Sequence, residues 1–196
     1  MTLLYDLIVV GGGPAGMMAA ITAARRGWRV LLLEKLHSSG AKLRATGGGR
    51  CNLTNTLDNH EFMARFGREG RFMATALAGF DHRSLIAFFS EIGVQTHAPD
   101  GFRVFPVGHS STTVVSALEV EMKRLGIAVF CSQRVEKLNH AGTRVMGVCT
   151  RDHFYKSSKV VLATGGLGYP SLGAEGDGYA MARSVGHTVS ELFPAM

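Results

Sequence analysis

Apolar residues along this chain fall into two rhythms. Short unbroken runs suit buried strands, and apolar positions three or four apart suit helices. Tyr5 to Val10 closes in the aliphatic run Leu7-Ile8-Val9-Val10, and Trp28 to Leu33 in a second such run. Between them Met17 to Arg26 has helical spacing, with Met17, Met18 and Ile21 on the expected core face. Lys35 to Asn59 then loses periodicity and is rich in Gly, Ser, Thr and Asn. Loops that long inside a compact domain are usually functional.

Helical patterns resume at Gly70 to Gly79 and at Ser84 to Ile92, the latter closed by Gly93. Val94 to Val107 reads as extended, with a turn at Pro99-Asp100-Gly101. Thr112 to Arg124 carries the stripe Val115, Leu118, Met122, Leu125 and stops at Gly126. Four short strands follow, at Ile127 to Phe130, Arg134 to Leu138, Val145 to Thr150 and Phe154 to Lys156. The turns Asn139 to Gly142 and Arg151 to His153 make them an expected antiparallel meander. Lys159 to Ala163 predicts one more strand, and Gly176 to Val185 a last helix closed by Gly186.

That order predicts an α/β fold: a Rossmann-like, doubly wound layout with a helical insert at about 57–93 and a small β-meander at about 127–157. We expect residues 1–196 to form a single domain, at a length sufficient for one well-buried core.

The turn between the first strand and helix carries the chemistry. Gly11-Gly12-Gly13-Pro14-Ala15-Gly16 follows the strand at once, and Glu34 ends the second strand, eighteen residues beyond Gly16. In such a device Gly11 makes the tight turn, Gly13 admits a pyrophosphate to the backbone, and Gly16 packs the helix on the sheet. The helix N-terminus offers N–H groups and partial positive charge to phosphates. A carboxylate at Glu34 suits ribose hydroxyls and repels a 2′-phosphate, which favours FAD or NAD over NADP at this site.

Composition narrows the partners. With 46% hydrophobic and 18% charged residues the chain reads as globular, and no apolar run approaches the roughly 18 residues of a membrane span. The start, Met1 to Asp6, lacks a basic n-region and runs into the first strand, so we expect no signal peptide. Three cysteines without CxxC spacing point to reduced thiols and a cytoplasmic location. Eight scattered histidines show no ligand spacing, so no metal site is expected. The net charge of +6 comes without a basic tract or interleaved aromatics, so no nucleic-acid partner is expected either.

Two later segments hold further candidates. Gly40 to Asn55 contains Lys42, Thr46, Gly47, Gly48, Gly49, Arg50, Cys51 and Asn52. Its three consecutive glycines present N–H groups either to a ligand or to solvent, and Lys42 and Arg50 serve either an anion or the surface. Cys51 is a weak candidate for thiol redox chemistry, against a packed and inert cysteine. Thr164-Gly165-Gly166 ends the late strand, and Asp177 in Gly176-Asp177-Gly178-Tyr179 reads most simply as a helix N-cap. Tyr169 reads as a turn residue and His187 as a helix-end residue.

Together these blocks resemble the BaiN/YhiN-type flavoproteins, a family of NAD(P)/FAD-dependent, aminoacetone-oxidase-like oxidoreductases. The matching segments are GGGPAG at 11–16, LEK at 33–35, GAKLRATGGGRCNLTN at 40–55, FRVFP at 102–106 and ATGGLGYPSLGAEGDGY at 163–179. The resemblance implies a fold of the two-dinucleotide-binding type and bound FAD. Gly11, Gly13, Pro14, Ala15 and Gly16 would hold the pyrophosphate and Glu34 the adenosine ribose, with Lys35 and Lys42 also in the cofactor-binding set. The Thr46 to Asn52 loop and the Thr164-Gly165-Gly166 turn would lie against the flavin.

It also implies a small-molecule substrate, with NAD(P)H as a candidate electron donor. Members of that family continue into a substrate domain and a flavin-capping segment that we expect this chain to lack. The readings open at this point are an FAD-dependent oxidoreductase, a non-catalytic remnant or subunit working with a complementary C-terminal chain, and an NAD-binding dehydrogenase domain.

Overall fold

A computed structural model describes residues 5–192; the Met1 to Leu4 start and the Phe193 to Met196 end lie outside the described residues. In chain order the elements are β1 (Leu7–Val10), α1 (Pro14–Arg25), β2 (Val30–Leu33), α2 (Ala41–Ala45), β3 (Thr54–Asn55), α3 (Asn59–Ala64), α4 (Ala74–Gly79), α5 (His82–Glu91), β4 (Thr96–His97), β5 (Arg103–Pro106), α6 (Ser111–Arg124), β6 (Ala128–Phe130), β7 (Val135–Ala141), β8 (Arg144–Thr150), β9 (Phe154–Lys156), β10 (Val160–Leu162) and α7 (Asp177–Ser184). They divide into two compact units, one made of Met1–Lys42 with Glu121–Met196 and the other of Leu43–Val120.

The first unit is built on a four-stranded parallel sheet in the order β10-β1-β2-β6. Leu7 to Val10 pairs with Val30 to Leu33 on one side, and Ile8 to Val10 with Val160 to Leu162 on the other. Every residue of β1 and β2 is buried, which is why both read as unbroken aliphatic runs. Met17, Ala20 and Ile21 of α1 are fully buried and Met18 is half-buried. Full burial of an aliphatic side chain of this size stabilises by about 1.5–3 kcal/mol.

A second sheet, β7-β8-β9, is antiparallel throughout. Val135, Leu138 and Val148 join it to the core that contains Ile8, Val10, Leu31 and Leu33. The meander therefore has three strands. Ile127 to Phe130, expected as its first, instead supplies β6, which pairs in parallel with β2. Local periodicity identifies such a strand but not the sheet that receives it.

The second unit holds the helical insert and a three-stranded antiparallel sheet in the order β3-β5-β4. Asp58 and Asp81 cap α3 and α5, each accepting the backbone N–H three residues on, from Glu61 and Ser84, at 2.8 Å. The single helix expected at Gly70 to Gly79 divides into a 3-10 stretch, Gly67–Met73, followed by α4. Gly67 and Gly70 are poor helix formers. The long irregular segment contains α2, a 3-10 turn at Thr46–Gly49, and β3.

Candidate functional site

The turn after β1 is shaped by two glycines in contact. Gly11 has φ +109, and its N–H donates to the Leu33 carbonyl at 2.8 Å. A Cβ on Gly16 would meet the Gly11 carbonyl oxygen, and one on Gly11 would meet the Ala163 carbonyl. No side chain fits at either position, so helix, turn and the end of β10 close on one another.

Gly13 differs. A Cβ there would have nothing within 4 Å, so its outer side is open. Gly13 is the N-cap of α1, Pro14 occupies the first turn, and no side chain caps the helix. The first N–H groups of a helix lack intrahelical partners, and together with the helix dipole they form an anion site.

Glu34 lies at the end of β2 and is 8% exposed. Its carboxylate accepts the Gly12 N–H at 2.6 Å through Oε2 and the Leu36 N–H at 2.8 Å through Oε1. The buried carboxylate thus fixes the glycine turn, and each oxygen keeps acceptor capacity for a hydroxyl.

A cavity of about 260 Å³ opens at this place. Gly11, Gly13, Pro14, Ala15, Glu34, Lys35, Lys42, Thr164 and Gly165 all line it. The structure thereby brings together residues that stand up to 154 positions apart in sequence, from Gly11 to Gly165. Lys42 donates to the Gly168 carbonyl at 2.9 Å, with its Nζ 5.9 Å from the ring centre of the exposed Tyr169. Thr164 packs against Gly178 at the start of α7, and a Cβ on Gly166 would lie 3.3 Å from the Tyr179 hydroxyl.

The same wall holds residues that sequence reasoning passed over. Gln133, Arg134, Gly173, Ala174, Asp177 and Met181 also line the cavity. Lys35 Nζ lies 2.6 Å from Asp177 and 3.1 Å from Glu175. Arg134 reaches Glu175 at 2.7 Å and Asp177 at 3.2 Å, and this pairing holds the Glu175 carboxyl below its ordinary range. Asp177 is not the cap of α7. Gly176 occupies the N-cap with φ +81 and makes no side-chain cap bond, while Asp177 turns to the two cations. The only signal available in the sequence was the opposite charge of Lys35 and Asp177 in two blocks otherwise read as cofactor-facing.

In the second unit, Gly47, Gly48 and Gly49 all have positive φ, at 59°, 65° and 88°, and Cys51 follows at 62°. Cys51 N–H donates to the Thr46 carbonyl at 3.1 Å, and Arg50 Nε to the Gly47 carbonyl at 3.2 Å. The Arg50 guanidinium lies 5.5 Å from the Phe105 ring centre. The Asn52 amide nitrogen, in the orientation that satisfies its neighbours, donates to the Thr54 and Val104 carbonyls. Cys51 is fully buried, and desolvation pushes its thiol up to about 11. A nucleophilic cysteine needs the opposite shift.

Comparison with known proteins agrees with this geometry. A family model described as the HI0933-like protein Rossmann domain matches residues 5–192. The chain is 35% identical over 192 residues to a 3-dehydro-bile acid delta(4,6)-reductase of Clostridium scindens, covering 96% of this chain and 46% of that protein. It is 30% identical over 185 residues to a ribosomal RNA dihydrouridine synthase of Escherichia coli, covering 94% and 45%. The chain therefore spans a little under half the length of these curated relatives. Among solved structures, a 3-ketosteroid-delta4-(5alpha)-dehydrogenase from Rhodococcus jostii superposes with a TM-score of 0.70 at 20% identity, covering 93% of this chain and 54% of that one. A flavocytochrome c3 fumarate reductase gives 0.67 at 24%, covering 94% and 41%. These two likenesses establish the Rossmann-like fold.

Proposed function

The chain belongs to the HI0933-like protein Rossmann domain family, and on that premise we propose that its cavity holds the FAD of an oxidoreductase. The observation that carries the reading is the buried Glu34 carboxylate bonded to the Gly12 N–H beside an uncapped helix start. Gly13 leaves room for a pyrophosphate over the N-terminus of α1, and Gly11 and Gly16 set the turn that presents it. Glu34 accepts the ribose hydroxyls and, by charge, rejects a 2′-phosphate. Pro14, Ala15, Lys35, Lys42, Thr164, Gly165 and Gly166 complete the proposed binding set in the first unit. In the second unit, the Thr46 to Asn52 loop is proposed separately as flavin-binding, with Cys51 as a packing residue.

Bound there, the isoalloxazine supplies electron and hydride chemistry, while the protein supplies position and electrostatics. We place the substrate among small molecules carrying a carbon–carbon double bond conjugated to a carbonyl, with NAD(P)H as electron donor. Support comes from the relatives' names, since a delta(4,6)-reductase and a dihydrouridine synthase both saturate such a bond. A small molecule fits this chain better than RNA because its basic residues form no tract.

The test is the visible spectrum of the freshly purified protein, with released cofactor identified by chromatography. Stoichiometric FAD, reduced by Gly13→Val and by Glu34→Ala, supports the assignment. A folded, colourless protein that takes up no added FAD overturns it, and dependence on added NAD without flavin would favour a dehydrogenase domain instead.

A further inference from the structure

On the β4–β5 hairpin of the second unit, two imidazoles meet edge to edge. His97, the last residue of β4, stands opposite Phe105 of β5, and its Nε2 lies 2.9 Å from Nε2 of His109. His109 is held from two sides. Its N–H donates to the Pro106 carbonyl at 2.8 Å, and its ring leans on Phe105 with centres 5.6 Å apart. It also has φ +46, a conformation uncommon outside glycine and kept only where the surroundings impose it.

The ring positions say more than the contact distance. Two imidazoles aimed along a straight N–H···N bond of this length would have centres about 5.2 Å apart. Two imidazoles sharing a cation about 2.05 Å from each nitrogen would subtend about 90° at a 2.9 Å separation, with centres about 4.5 Å apart. The observed distance is 4.7 Å, with the rings 77° apart in plane. The pair is bent toward the chelating arrangement. A right-angle bite belongs to tetragonal and octahedral sites, whereas a tetrahedral site needs a wider one.

We propose that His97 and His109 form a two-imidazole chelate for a nitrogen-preferring divalent cation of the nickel or copper class. One Nε2 of the hydrogen-bonded pair must carry a proton, and when the cation takes its place that proton passes to Nδ1 of the same imidazole, so the neutral pair binds without net proton release. No group of three or more His, Cys, Asp or Glu is gathered for a metal among the described residues, so water fills the remaining positions. The His109 ring leans on the Phe105 ring that carries Arg50, and cation binding therefore stiffens the base of the Gly47–Asn52 loop.

The experiment is calorimetric titration of the whole chain with nickel chloride after chelator treatment. One equivalent of bound Ni²⁺ is expected. His97→Ala and His109→Asn each weaken binding by at least about tenfold, the loss typical even of outer-shell metal partners. Asn tolerates the left-handed backbone, so H109N keeps the fold, and far-UV circular dichroism checks it. His140→Ala leaves the affinity unchanged. Absence of binding at millimolar Ni²⁺, or binding that survives both substitutions, overturns the proposal.

Discussion

Gly12 and Glu34, 22 residues apart, are joined by a 2.6 Å hydrogen bond from backbone N–H to buried carboxylate. The residue we propose as the ribose acceptor is thus also the strut of the turn we propose for the pyrophosphate.

Glu34→Ala removes an acceptor from two N–H groups at once, and an unsatisfied buried donor costs about 1–3 kcal/mol. We expect a lower melting temperature even in cofactor-free protein, together with reduced FAD content. Glu34→Gln retains an acceptor and loses less stability. A melting curve of E34A that matches the parent would refute the strut role.

Gly16→Ala and Gly13→Ala separate packing from binding. The first forces a methyl onto the Gly11 carbonyl and should yield destabilised or insoluble protein, and the second meets nothing and should fold. Gly13→Val is expected to fold, at a modest stability cost at the N-cap, while lowering bound FAD. Equal stability of G16A and G13A in urea titrations would contradict this.

Glu121 supplies a pH dependence away from the cavity. Hydrogen bonds from Arg124 and then Arg25 hold its carboxyl at about 2, below the ordinary 4.5, and its side chain is 6% exposed. Because the folded value is depressed, the stabilisation is complete above 4.5 and disappears as pH falls toward 2. Its size is on the order of 3 kcal/mol. Chemical denaturation between pH 5 and 2.5 should show that loss, and Glu121→Gln should flatten it.

Cys51 should resist thiol reagents in the native protein at pH 8, with its thiol at about 11 and fully buried. It should be modified only on unfolding, as followed by mass spectrometry. Cys51→Ala is expected to keep its flavin, and rapid native labelling of Cys51 would restore it as a redox candidate.

Much of this architecture was legible in the sequence because its signals are local. The runs of β1 and β2, the glycine turn and the stripe of α6 each announce themselves within a dozen residues. What stayed hidden depends on distant partners. Asp177 resembles a cap until Lys35, 142 positions away, is seen beside it. The strand at Ile127 to Phe130 looks like part of the meander until β2 claims its edge. Glu34 was legible as a candidate ribose acceptor, which remains a proposal, but its bond to Gly12 was not, since the fingerprint describes a bound nucleotide and not the turn at rest.

The pairing of β1 with β10 bears on how the protein is made. Val10 finds Leu162 across a gap of 152 residues. At about 5–20 residues per second a ribosome leaves that side of β1 bare for roughly 8–30 s. Throughout that interval the nascent chain presents four consecutive aliphatic residues and an unpaired strand edge, the features that recruit chaperones or, without them, invite aggregation.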